Sequence, residues 1–392
     1  MPPLFSIIAP TVGRLKLWQH ALRSAVEQDF ADFEIIAVNS QHTPESQHLI
    51  DSLQNGKIHY LTPDQTQSHL NWDMGYRAAR GRYILWLDDD NYLLPQALNI
   101  LAGIITTHEP DIVTGDHAHW YEPNFPQKNL QNALSMPLPL FTETSAPISA
   151  APYLATIFGM PDSYPEVRAR FHFTETAIRR EFAESVVQVA GPIDFTDASP
   201  RFLQLALLAS ARTIWYADTP IALVIQMGES MAYQWSKKES RNSRFSVRHR
   251  FSPVSADTYN NYVTDNLLRA KSAFPKEFAP YDIVWPAFFN TYARELVFLD
   301  QGWKSMGRNF KELRDATRAR KIYLRLWPYL LASIALTIFK RLRLYPLLRA
   351  VFKKQGGSGK QGVQIRLEPE VRTIRDAAKK LPEVLTKLRA RH

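Results

Sequence analysis

Three consecutive carboxylates close an apolar run at Leu87–Asn91 (LDDDN). Side by side they repel one another, so ionising them together requires a cation, hydrogen-bond donors or solvent. Oxygen ligands beside a diphosphate are the usual setting of Mg2+ or Mn2+, which neutralises both the carboxylates and a departing phosphate. The same letters fit an acidic turn capping a helix that starts near Pro95, because Asp and Asn favour N-caps and turns. His117 and His119 in HAHWYEP form a second group. On a strand, i and i+2 point to one face and suit a metal, but no third ligand is evident nearby and a polar strand or pocket wall explains them equally. Neither GxxxxGK[ST] nor GxGxxG occurs, so P-loop and dinucleotide chemistry lack a motif.

The elements that must hold these groups alternate in type. FSIIAP (Phe5–Pro10) reads as a strand, followed by a helical pattern over Leu15–Gln28. FEIIAVN is a second strand, Pro44–Leu53 a second helix, and IHYL a third strand. A helix over about Asn71–Arg80 then leads into the strand YILWLDDD. Strands alternating with helices predict an α/β domain with a mainly parallel sheet, whose ligands sit beyond the carboxyl ends of the strands. Polar residues gather at those ends: Thr11 and Arg14, Asn39 and Ser40, and Asp88–Asp90.

Three ordered blocks, APTVGR, SAVEQDFADFEIIAVNSQ and GYRAARGRYILWLDDD, resemble the nucleotide-binding half of the inverting family-2 glycosyltransferases of the GT-A fold. The resemblance runs from Phe5 to Leu101, and the segment NWDMG before a DDD strand end is similar to one subset of that family. It implies a Rossmann-like nucleotide-diphospho-sugar transferase domain. Pro10 and Thr11 would line the nucleotide base with Arg14 close by, and Asn39 stands where the family usually has an aspartate facing the base. Asp88 would contact the donor ribose, and Asp90 would hold a divalent Mn2+ or Mg2+ with Asp88 and Asp89 beside it. NWDMG places Trp72 where the family often has an arginine and Asp73 where it has an asparagine at the donor; packing in the helix is the other reading of Trp72.

The stretch FTETAIRREFAESVVQVAGPIDFTDASPRFLQLALLASARTIWYADTPIALVIQ resembles the second half of the family domain, with Thr196 and Asp197 on its acidic dipeptide. That resemblance makes Asp197 the general base that takes the acceptor proton. As an alternative, Asp197 in DASPR caps the helix that follows, and Asp194 and Glu175 are further carboxylates. Lys237, Lys238 and Arg241 lie in a loop that would offset phosphate charge or remain a solvated basic loop.

Composition bounds the rest. The chain of 392 residues is 45% hydrophobic and 22% charged, enough for a sizeable core, and its lack of cysteine removes disulfides, thiolate metal sites and cysteine nucleophiles. Residues 340–392 carry fifteen Lys/Arg against four Asp/Glu, a net of +11 against +9 overall, so the remainder is at −2. Arg318–Lys354 interleaves Trp, Tyr and Leu with cations, which suits an anionic membrane surface better than nucleic acid, whereas packing on the core is the other possibility. Its longest apolar run, Leu326–Phe339, is too short to span a bilayer. No secretory signal is legible at the N-terminus, so a cytoplasmic enzyme peripheral at the inner face of the cell membrane is expected.

The expected organisation is a GT-A domain over 1–235, with a nucleotide-sugar half at 1–101 and an acceptor half at 102–235. A helical extension at 236–321, amphipathic basic helices at 322–354, a linker at 355–368 and a C-terminal amphipathic helix at 369–392 follow. The expected activity is metal-dependent, inverting hexosyl transfer from a nucleotide-diphosphate sugar, UDP favoured, to a saccharide or lipid-linked saccharide in surface polysaccharide synthesis. A nucleotidyltransferase acting on sugar phosphates and an inactive nucleotide-sugar-binding protein are the alternatives. Oligomeric state is not legible.

Overall fold

Strands β1 (Phe5–Thr11) and β2 (Phe33–Asn39) are buried over their whole lengths, as near-continuous apolar runs in a sheet covered on both faces must be. In the computed structural model they pair in parallel, and β1 pairs in parallel with β4 (Tyr83–Trp86) while β2 does so with β3 (Ile58–Leu61). The structure describes residues 1–53, 55–63, 68–137, 142–159, 171, 173, 176–190, 201–227, 251–256, 258–298, 303–324, 327–328, 331, 335 and 362–389. Two compact units result: Met1–Tyr153 with Val167–Tyr233 and Gln361–His392, and Leu154–Glu166 with Gln234–Lys360.

The helices among the described residues are α1 (Leu15–Val26), α2 (Pro44–Ser52), α3 (Ser68–Ala78), α4 (Ala97–His108), α5 (Ala151–Ile157), α6 (Arg180–Ala190), α7 (Arg201–Ser210), α8 (Tyr259–Ala273), α9 (Trp285–Phe298), α10 (Trp303–Ala319) and α11 (Ile374–Arg389). The remaining strands are β5 (Asn91–Leu93), β6 (Ile112–Tyr121), β7 (Ala133–Pro137), β8 (Ser145–Ile148), β9 (Thr176–Arg179), β10 (Ile214–Gln226) and β11 (Gly362–Arg366). The main path of the sheet runs β11-β7-β6-β9-β4-β1-β2-β3, with β10 joined to β5, β6 and β8. This is a mixed, open α/β sheet: among the described residues β1–β2, β2–β3, β1–β4 and β6–β10 pair in parallel, and the other six pairings are antiparallel. Strand order reverses between β1 and β4, and in open α/β sheets the crevice beyond such a reversal is where ligands bind.

The two faces of the parallel part are packed differently. Phe5, Ile7 and Ala9, with Phe33, Ile35 and Ala37 and with Tyr83, Leu85 and Leu87, meet Trp18, Leu22, Leu98 and Leu101 of α1 and α4. On the opposite face α3 lies so close that a Cβ on Gly75 would stand 2.3 Å from Ile8 Cγ2. At the far end of the sheet, Ser6 Oγ donates to Glu34 Oε1 at 2.6 Å and Arg80 Nη2 donates to Glu34 Oε2 at 2.7 Å. Burial resists the charge on Glu34, but the Ser6 and Arg80 hydrogen bonds outweigh it and lower its pKa.

Beyond residue 361 the expected C-terminal helix is present, but part of the expected linker is a strand. Residues 362–366, read from sequence as linker, form β11 against β7, and α11 buries Ile374, Ala377, Ala378, Leu381, Leu385 and Leu388 against Trp120, Leu134, Leu223 and Ile225 of the sheet. The spacing of those residues is one helical stripe, which needs an apolar surface to cover it. Arg375 is ion-paired to Glu27 at 2.7 Å and Arg389 to Glu143 at 2.7 Å. In the second unit, α9 and α10 share an apolar core through Phe289, Tyr292, Leu296 and Leu313. Most of 322–354 and the linker residues 355–361 lie outside the described residues. Among those described, no helix is long and apolar enough to cross a membrane.

Candidate active site

The carboxyl ends of β1, β2 and β4 are tied together by side chains that the sequence places one after another. After Leu87, whose N–H donates to Ile8 O, the chain makes a tight turn in which Asn91 N donates to Asp88 O at 3.0 Å. Asp89 and Asp90 occupy the centre of this turn, and their fates differ. Asp89 is 4% exposed and accepts from Thr11 Oγ1 at 2.7 Å and from Arg14 Nε at 3.0 Å, with Arg14 Nη2 on its second oxygen. Asp90 is partly exposed and meets Arg14 Nη1 at 3.4 Å. Asp88 is likewise partly exposed.

Burial pushes the Asp89 carboxyl up to about 6; the Arg14 charge opposes this, the Asp90 charge adds to it, and the Thr11 and Arg14 hydrogen bonds oppose it further. Desolvation of Arg14 is outweighed by the charges of Asp89, Asp90 and Asp88, so its pKa is raised. The guanidinium is therefore a fixed cation, half-exposed beside the two outer carboxylates. Gly13, at φ +72°, sits under the Gln41 side chain in the loop that leads to Arg14.

Of the other residues expected at the site, Pro10 and Thr11 end β1, with Thr11 buried. Asn39 ends β2 fully buried, accepting from Gln41 N at 2.9 Å and donating to Gln41 O at 3.0 Å, so its amide shapes the loop. Asp73 faces Arg77 one helical turn on, at 2.6 Å. Trp72 stacks on Trp86 at 6.2 Å and lies 5.8 Å from Phe173, a packing role on the face covered by α3. Asp197, Asp194, Thr196, Glu175, Lys237, Lys238 and Arg241 lie outside the described residues.

Asn71 is the residue that sequence reasoning missed. It is fully buried, and its Nδ2 donates to Thr11 O at 2.5 Å and Ser40 Oγ at 3.1 Å, fastening the ends of β1 and β2 to α3. Its signal was its place at the head of NWDMG, where the neighbouring Trp and Asp drew attention instead.

His117 and His119 do share a face of β6, with their Nε2 atoms 3.2 Å apart, and Gln226 Nε2 lies 3.1 Å from His119 Nδ1. Among the described residues no three His, Cys, Asp or Glu side chains converge as a preformed metal cage. Two carboxylates on an open turn nonetheless fit Mg2+ or Mn2+, which are typically held by one or two carboxylates while substrate phosphates and water complete the shell. Asp88 and Asp90 are the residues that would hold such an ion; Asp89 is committed to Thr11 and Arg14.

A mixed α/β sheet with an acidic turn and a cation at its switch point leaves a crevice where open α/β sheets commonly bind ligands. Residues 6–165 match the family model for glycosyl transferase family 2. Similar curated proteins include a GalNAc(5)-diNAcBac-PP-undecaprenol beta-1,3-glucosyltransferase of Campylobacter jejuni, 32% identical over 103 residues, covering 25% of this chain and 33% of that protein. The colanic acid biosynthesis glycosyl transferase WcaA of Escherichia coli, itself a putative assignment, is 27% identical over 145 residues, covering 36% of this chain and 50% of that one. The chain thus spans between a third and half of the length of these two relatives. Among solved structures, Staphylococcus aureus TarS 1–349 in complex with UDP-GlcNAc is 14% identical with a TM-score of 0.46, over 94% of this chain and 98% of that chain.

Proposed function

We propose that the protein is an inverting glycosyltransferase that moves a sugar, of hexosyl type, from a nucleoside-diphosphate donor, UDP favoured, to a hydroxyl of a saccharide or lipid-linked saccharide in surface polysaccharide synthesis. The observation that carries this reading is the cluster of Thr11, Arg14 and Asp88–Asp90 at the switch point of a domain that matches the family 2 model. Pro10, Thr11 and Asn39 form the base end of the donor site, with Asp73 nearby on α3, and Asp88 takes the ribose. Asp89 holds Arg14 and Thr11 in register, so Arg14 meets diphosphate without moving.

A divalent Mn2+ or Mg2+ on Asp90 and Asp88 would supply charge neutralisation for the departing nucleoside diphosphate. Asp197 accepts the proton of the attacking hydroxyl in this reading, since inversion needs a carboxylate within hydrogen-bond reach of the acceptor and no covalent intermediate. Cytoplasmic placement at the inner face of the membrane, through 322–354, belongs to the same proposal. It is supported by exposed Leu324, Trp327 and Leu331 beside the basic run. The test is product analysis after incubation with UDP-, GDP- and dTDP-sugars: sugar transfer frees a nucleoside diphosphate. Release of pyrophosphate, or no turnover of any donor in the presence of varied acceptors, would overturn the proposal.

A further inference from the structure

A cleft of about 620 Å3 opens in the first unit where the segment leading into α11 meets the start of α1 and the ends of β6 and β10. This is a size that small-molecule sites commonly have. Besides polar residues such as His20, Gln131 and Thr373, its lining has two walls. Leu17, Trp120, Ile225 and Met227 give it an apolar wall, and Lys16, Arg366 and Arg372 give it a cationic one. Among the described residues none of these three cations has a carboxylate partner, and Glu122 is the sole acid of the lining. Several other cations of the same segment are matched: Arg375 with Glu27, Arg389 with Glu143, Lys387 with Glu383.

The cleft is built rather than left over. Asn132, at φ 50°, adopts a left-handed backbone that Asn tolerates better than most residues. From there its Oδ1 accepts from Trp120 Nε1 at 3.3 Å, its Nδ2 donates to Glu368 O at 2.9 Å, and its O accepts from Leu367 N at 2.8 Å. The cleft also adjoins the carboxylate turn. Lys16 is two residues beyond Arg14, and Ile225 N donates to Asp90 O at 3.0 Å.

We infer that this cleft binds the sugar acceptor as a phosphate-linked glycolipid, its phosphate on Lys16, Arg366 and Arg372 and its alkyl chain along Leu17, Trp120, Ile225 and Met227. Naming the occupant an acceptor rests on the glycosyltransferase reading; the affinity for a molecule that is anionic and apolar at once rests on the cleft alone. An uncharged glycoside leaves the cations unmatched. A bare phosphate leaves the apolar wall wet.

Calorimetry on the full chain with octyl phosphate, octyl glucoside and inorganic phosphate separates these chemistries. Octyl phosphate is expected to bind about tenfold or more tighter than either of the others, and Arg366→Gln/Arg372→Gln to erase most of that margin, with UDP binding unchanged. Met227→Gln weakens octyl phosphate and leaves inorganic phosphate as it was. Both arginines are exposed, so an unchanged thermal midpoint accompanies the double variant. Octyl phosphate binding no tighter than octyl glucoside, or no tighter than inorganic phosphate, would overturn the inference, as would full affinity in the double variant. If UDP binds and octyl phosphate does not, the cleft assignment fails and the donor site stands. If octyl phosphate binds and no nucleotide does, the cleft keeps its chemistry and the transferase reading fails.

Discussion

Asp89 is the most constrained carboxylate of the acidic turn, and its titration can be read as stability. Its ordinary value is 3.8 and its folded value about 6. Between those values the folded protein holds a proton that the unfolded chain has released, so stability falls as pH rises through this window. About two units at 1.36 kcal/mol each gives a loss of about 3 kcal/mol between roughly pH 4 and pH 7, with no further change above. Asp89→Asn keeps an acceptor for Thr11 and cannot titrate, so subtracting its unfolding free energy from that of the wild type isolates Asp89 and the groups coupled to it, Arg14 and Asp90. Urea unfolding of both proteins, followed by tryptophan fluorescence across pH 4 to 7.5, measures the difference. It should shift against the wild type by about 3 kcal/mol as pH rises. A flat difference, or one that favours the wild type at higher pH, would refute the burial-dominated picture of Asp89 and with it the claim that Arg14 is held by a costly buried anion.

Gly81→Ala is expected to destabilise by about 2 kcal/mol or more, because the new Cβ would lie 2.4 Å from Ser6 N and 2.6 Å from Phe5 C, both backbone. In contrast, Gly103→Ala in α4 meets nothing within 4 Å and should stabilise by about 0.5–1 kcal/mol; thermal melts of the pair check both signs. Leu381→Ala empties a side chain 1% exposed under the sheet and should cost about 2–5 kcal/mol by chemical denaturation. A cost below about 0.5 kcal/mol would mean that α11 is not packed on the sheet in solution.

The parallel half of the fold was legible because each strand is a short β-branched run ending in polar residues. β1, β2, β3 and β4 fall where FSIIAP, FEIIAVN, IHYL and YILW stand. What escaped was non-local. VQIR alternates too briefly beside a glycine-rich stretch to be read as a strand, and only its pairing with Ala133–Pro137 makes it one. The amphipathic stripe of α11 was visible, but the surface it covers belongs to β6, β7 and β10, more than a hundred residues away.

The site divides in the same way. Three aspartates in a row look equivalent as letters. In the fold one turns inward to Thr11 and Arg14, while two stay at the opening, a distinction set by a tight turn and by Gly13 and Arg14 arriving from another strand. Asn71 matters because it reaches two strand ends at once, which no local spacing reveals.

The most direct test of the proposed donor site is calorimetric titration of UDP, GDP and dTDP, with and without Mn2+, into the wild type and Asp90→Ala. The proposal predicts metal-dependent binding of one of the three nucleotides, weakened by about tenfold or more in Asp90→Ala. Failure of all three nucleotides to bind under either condition, or binding that is indifferent to both Mn2+ and Asp90, would contradict it.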